Sequence, residues 1–123
     1  LEGVGQLLGN IGMIREHLNN NLHISAIVLT MYDARTRLAA DVADEVRGQF
    51  GQVVLNNVIP RSVKVSEAPG YGQTVIDYDP GSRGALAYFD AAKELATRGD
   101  YQPHPTTGPI GVSPEVYNQL EEE

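Results

Sequence analysis

The sequence predicts an α/β fold built on a parallel sheet, and three observations predict it. Helix-period and strand-like apolar segments alternate along residues 1–98. The strand-like segment 23–31 carries Ile27, Val28 and Leu29 in a row, the pattern of a strand covered on both faces. A second such segment runs into Pro60 and a short charged stretch, Val58–Tyr71, and the carboxyl edge of a parallel sheet is where ligands are held. Helices flanking two to three strands, joined by right-handed crossovers, are therefore expected.

Residues 1–19 read as a helix, because Val4, Leu7, Leu8, Ile11, Ile14 and Leu18 recur at three- and four-residue steps and make one apolar stripe. Asn19, Asn20 and Asn21 stop it, since Asn favours helix ends and turns. The 23–31 strand ends in a polar turn, Tyr32 to Thr36, where Asp33 or Thr36 caps the next helix. That helix, 36–50, sets Leu38, Val42, Val46 and Phe50 at four-residue steps beside Ala39 and Ala43, and Gly51 fits its end. Residues 52–59 read as the second strand. One helical turn is expected over 64–68, and an extended piece or short edge strand over 73–78. Asp79 to Ser82 is a turn, with Ser82 as helix cap. The last helix, 83–98, is expected to turn Ala85, Leu86, Phe89, Ala92, Leu95 and Ala96 inward. Two or three strands leave much apolar edge uncovered, so the chain reads as half of an α/β fold, or as one that completes its sheet with a partner.

Residues 99–123 change character. Pro103, Pro105, Pro109 and Pro114 fall here, with Gly108 and Gly111, as in a flexible linker. Ser113 and Pro114 suit the start of one or two helical turns. This stretch holds five acids and no Lys or Arg, so it supplies −5 of the net charge of −7. The expected organisation is one domain over 1–98 and an acidic Pro/Gly tail over 99–123. The nearly neutral body leaves room for a local basic patch that meets nucleic acid.

Several chemistries are excluded or unsupported. With no Cys there is no disulfide, thiolate metal site or iron–sulfur ligand. His17, His23 and His104 have no metal-ligand spacing, and no metal residue is assigned. Neither Lys64 nor Lys93 follows a glycine, so the G-x-x-x-x-G-K-[ST] phosphate loop is absent. Gly70-Tyr71-Gly72 lacks the third glycine of a dinucleotide fingerprint. Asp77 and Asp79 read as a polar turn rather than a catalytic pair, and no catalytic residue is assigned. No apolar run reaches the roughly 18 residues of a membrane span. A chain that opens on Leu1 in mid-helix is expected to be a fragment or a processed product.

Four stretches carry a more specific signal: LEGVGQLL at 1–8, LTMYDARTRL at 29–38, VIPRSVKVSEAPGYG at 58–72 and YDPGSRGALAYFDAAKEL at 78–95. Together they resemble the C-terminal half of the ParA/Soj chromosome- and plasmid-partition ATPases, of the deviant-Walker-A branch of P-loop ATPases. The resemblance implies the C-terminal part of a parallel-sheet P-loop NTPase fold, whose phosphate-binding half precedes the segment seen here. It implies that Thr30 and Met31, with Ile59, Pro60, Arg61 and Ser62, wrap an adenine base. It also implies that Arg35 and Lys64 contact DNA without sequence preference, with Arg37, Arg61 and Arg83 adding to the patch. The second of these positions is often Arg in the family; Lys keeps the charge and loses bidentate geometry.

For the intact protein the resemblance implies ATP and Mg²⁺, a homodimer, non-specific DNA and a ParB-type partner that stimulates hydrolysis, in the cytoplasm on the nucleoid. The fragment alone is expected to be catalytically inactive and to bind no cofactor tightly. The related nitrogenase iron protein needs cluster cysteines. The MinD branch ends in a basic membrane helix, whereas Gln119 to Glu123 would be repelled by anionic lipid, so no membrane partner is expected. The alternative is a non-catalytic module that self-associates through an unpaired sheet edge or the first helix.

Overall fold

A computed structural model describes residues 2–98. The expectations for 99–123, a flexible tail and a helical turn after Ser113, lie outside the described residues. Five α-helices appear among those described: α1 (Glu2–His17), α2 (Arg37–Phe50), α3 (Val63–Glu67), α4 (Val75–Tyr78) and α5 (Arg83–Arg98). Short 3₁₀ turns follow α2 at Gly51–Val53 and α3 at Ala68–Tyr71.

Local chemistry sets these boundaries. Thr36 caps α2 by accepting from the Ala39 N–H at 3.2 Å. Gly51 ends the helix at φ +60°, a backbone state glycine adopts without strain, and its N–H reaches Arg47 O. Ser62 caps α3, Thr74 caps α4, and Ser82 accepts from Ala85 N at 3.2 Å at the start of α5.

The two apolar segments run parallel, but pairing is confined to two isolated bridges, Ile27 with Val54 and Tyr32 with Pro60. In the first, Ile27 N donates to Val53 O at 2.9 Å and Leu55 N to Ile27 O at 2.8 Å. In the second, Tyr32 N donates to Ile59 O at 3.0 Å and Arg61 N to Tyr32 O at 2.9 Å. The register shifts by one residue between them, which breaks the ladder and prevents two regular strands. The expected third strand is also corrected. Residues 75–78 are helical because Thr74 Oγ1 takes the Asp77 N–H at 3.3 Å and turns the chain.

Helices nonetheless cover both faces of the paired segments. On one side Val54, with Ile27 and Leu29, packs on Leu8 of α1 and on Val46 and Phe50 of α2. On the other, Leu55 and Ile59 pack on Ala91 of α5, with Ala26 and Ala87 at the margin. A third cluster, Ala68, Val75 and Ala85, ties α3 and α4 to α5.

The inward faces differ from the periodicity reading in α1 and α5, and again in the first turns of α2. In α5 the buried residues are Gly84, Ala85 and Ala91, while Leu86, Phe89 and Leu95 are exposed. Small residues permit close approach to the sheet segments, so the large ones turn outward. In α1 Leu8 is buried, whereas Leu7 and Ile14, and Leu18 just after the helix, are exposed.

Candidate functional site

The first segment, the turn after it and α2 enclose a cleft of about 370 Å³. Its lining is apolar at Leu29, Leu38, Val42 and Ala43 and polar at Thr30, Asp33, Thr36 and Arg61. A volume in the roughly 300–1,000 Å³ range with apolar lining and few polar groups suits a flat heterocycle.

Of the six residues expected to wrap a base, Thr30, Met31 and Arg61 line this cleft. Ile59 is buried at 1% exposure on the opposite face, against Leu55 and Ala91. Pro60 pairs with Tyr32 across the second bridge, and Ser62 caps α3. These three hold the segment in place rather than facing the cleft.

Met31 is exposed and has φ +54°, the one non-glycine residue in the left-handed region among those described. An unbranched side chain tolerates that backbone at a cost of order 1–2 kcal/mol. Strain of this kind, located on a cleft, is retained where surrounding structure fixes it. Sequence reasoning missed Leu38 and Val42 as cleft residues. They were assigned to a buried helix stripe, yet Leu38 is 74% exposed because α2 turns its first two turns toward the cleft.

The two expected DNA contacts sit on different elements, each beside carboxylates. Arg35 is exposed, and its Nε and Nη2 donate to the Asp33 carboxylate at 2.9 and 3.0 Å. Those bonds, with a third from the Arg35 backbone N–H, hold the Asp33 carboxyl down to about 2. Lys64 Nζ lies 4.0 Å from Glu67, 3.9 Å from Asp79 and 5.7 Å from the Tyr78 ring centre. The Tyr78 hydroxyl donates to Glu67 at 2.8 Å, which pushes its ionisation up to about 12. Tyr71 stacks on Tyr78 with ring centres 5.2 Å apart.

Helix α5 contributes a site that sequence reasoning did not single out. Glu94 accepts from Asn56 N at 2.7 Å, Asn57 N at 2.9 Å and Asn57 Nδ2 at 2.8 Å. Arg98 pairs with Glu94 at 2.8 Å and donates to Gln52 O and to Val54 O. The outer edge of the second segment is thus closed by side chains from α5. The outer edge of the first segment, along 26–30, has no hydrogen-bonded backbone partner among the described residues. Also among the described residues, no group of three or more His, Asp or Glu side chains is placed to hold a metal ion, and no helix is long and apolar enough to cross a membrane.

A family model described as "CobQ/CobB/MinD/ParA nucleotide binding domain" matches residues 3–75. The chain is 50% identical over 99 residues to the sporulation initiation inhibitor protein Soj of Bacillus subtilis, covering 80% of this chain and 39% of that protein. It is 47% identical over 98 residues to the chromosome partitioning protein ParA of Caulobacter vibrioides, covering 80% and 37%. It is 44% identical over 98 residues to the chromosome-partitioning ATPase Soj of Thermus thermophilus, covering 80% and 39%. The chain therefore spans about two-fifths of the length of these curated relatives.

Proposed function

This chain belongs to the CobQ/CobB/MinD/ParA nucleotide-binding family, among its ParA-type members, and from that premise we propose that it is the base-binding and DNA-facing part of an ATPase that segregates chromosomes or plasmids. The observation that carries the reading is the cleft in which Thr30, Met31 and Arg61 come together with Leu29, Leu38 and Val42. Apolar side chains there take the faces of an adenine ring, and Thr30 and Arg61 meet its polar edge or the sugar beside it.

The phosphates and Mg²⁺ are assigned to residues other than these, since the sequence has no phosphate-binding loop. Arg35 and Lys64 meet duplex phosphates, so binding is sequence-tolerant and salt-sensitive. A homodimer on the nucleoid, released by a ParB-type partner in the cytoplasm, completes the proposal. Within it, residues 1–98 form the ATPase part and 99–123 a separate acidic tail.

Val42→Trp in the full-length protein tests the reading by filling the cleft from α2. ATP affinity should fall by about tenfold or more, the loss expected when a buried apolar contact area is blocked. Unchanged ATP affinity would overturn the base-binding assignment. A polypeptide of these 123 residues alone should show no ATP turnover, because the groups that stabilise a transferring phosphoryl group are missing.

A second reading, self-association as a non-catalytic module, is favoured by the open backbone row along 26–30. Sedimentation of the 123-residue polypeptide separates the two. A monomer at micromolar concentration sinks the second reading.

A further inference from the structure

At the break, side chains take backbone groups that a regular ladder would use: Arg47 Nη1 donates to Leu55 O at 3.0 Å, and Glu94 accepts from Asn57 N–H. After the Ile27–Val54 bridge, a regular parallel ladder would aim the Asn57 N–H at Leu29 O. Leu29 O instead accepts from Ile59 N at 2.8 Å, two residues later. The diverted Asn57 N–H, together with the Asn56 N–H, goes to the Glu94 carboxylate. On the first segment Met31, at φ +54°, takes up one residue in return, so Tyr32 meets Pro60.

We propose that Glu94 is a positioning residue for the base clamp: its carboxylate withholds Asn57 from the ladder and thereby sets the register that brings Arg61 to the cleft beside Met31. The inference rests on the base-binding reading for its functional consequence and on the hydrogen bonds alone for the register. Bonds from two backbone N–H groups and an amide to one ionised carboxylate are charge-assisted, stronger than the single neutral ladder bond forgone. Arg98 donates at 2.8 Å to the carboxylate oxygen that also accepts from Asn56, and it reaches the same segment through Val54 O. Without Glu94 the Asn56 and Asn57 N–H groups lose their shared acceptor, and Asn57 is free to compete with Ile59 for Leu29 O. Where Asn57 wins, Ile59 to Ser62 slide along the first segment, and both the Met31 conformation and the Arg61 placement lose their support.

The test compares Glu94→Ala with Arg98→Ala in the full-length protein, reading amide exchange by residue and Mg-ATP affinity. Glu94→Ala should speed exchange at Tyr32, Ile59 and Arg61 by about tenfold, the worth of one charge-assisted hydrogen bond. Ile27 and Leu55, on the first bridge, should stay protected, and ATP affinity should fall in step with the second bridge. Arg98→Ala removes one bond to Glu94 but keeps those from Asn56 and Asn57, and should leave the second bridge closed. Equal loss at all five amides in Glu94→Ala would reduce Glu94 to a general stabilising residue and overturn the proposal. So would a selectively opened second bridge with unchanged ATP affinity. If the unsubstituted protein binds no ATP while the second bridge still opens selectively, the register role stands and the base-binding reading falls.

Discussion

The first turn of α5 rests on α3 at Gly84 and Val65: a Cβ added to Gly84 would overlap the Val65 Cγ2 methyl and come within 3.1 Å of Ser62 Oγ. The glycine is needed for this close approach and not for its backbone angle. It links α5 directly to the residue that caps α3 at the end of the proposed clamp.

Gly84→Ala is accordingly expected to destabilise the protein. Overpacking costs about 1–3 kcal/mol and improved helix propensity returns about 1 kcal/mol, leaving a net loss on the order of 1 kcal/mol. Denaturant unfolding measures it. Adding Val65→Ala removes the overlap, so the alanine at position 84 should be neutral or stabilising in that background.

Arg35 meets DNA in competition with Asp33, which takes hydrogen bonds from its Nε and Nη2. In the full-length protein Arg35→Ala should weaken binding to any duplex and reduce the slope of log affinity against log salt by about 0.9. Asp33→Asn removes the competing charge and should strengthen binding. Fluorescence anisotropy at several salt concentrations checks both. Unchanged affinity in the pair would remove Arg35 from the interface.

Tyr78 and Lys64 share Glu67, so one substitution tests their environment. The Tyr78 hydroxyl donates to Glu67 and ionises at about 12 instead of near 10. Because the folded value is raised, this contribution to stability is complete below about pH 10 and is lost as pH climbs toward 12. In Glu67→Gln the Tyr78 titration, followed by ultraviolet absorbance or NMR, should move back toward 10. The same change removes one carboxylate from Lys64 and should raise duplex affinity.

Acid should attack the structure through Glu94. Bonds from the Asn56 and Asn57 N–H groups lower its carboxyl from 4.5 to about 2. A depressed folded value means that stability is complete above about pH 4.5 and declines as pH falls toward 2, because the unfolded chain takes up the proton first. Stability measured across that window should fall less steeply in Glu94→Gln than in the unsubstituted protein.

Much of the helical framework was legible in the sequence. Residues 36–50 and 83–98 were expected as helices, and α2 and α5 span Arg37–Phe50 and Arg83–Arg98. Thr36, Ser82 and Gly51 announced their own roles because caps act within three or four residues. What was not legible depends on distance along the chain. The broken ladder goes with polar side chains from two helices, Arg47 of α2 and Glu94 of α5, which apolar periodicity does not describe. The outward turn of Leu86 and Phe89 follows from small residues elsewhere on α5 winning the contact with the sheet segments. Residues 73–78 read as an extended piece or short edge strand, whereas the Thr74 cap makes 75–78 helical. The cleft was half visible: Thr30, Met31 and Arg61 come to it, while Leu38 and Val42 had been assigned to the core.

The Glu94 clasp joins residues 38 positions apart. A chain leaving the ribosome therefore completes both paired segments well before the carboxylate that chooses between their registers has been made. The bonds from Asn56 and Asn57 to Glu94 can form only once α5 has been made and has docked on the paired segments, so the last helix to be synthesised completes the edge of the second segment.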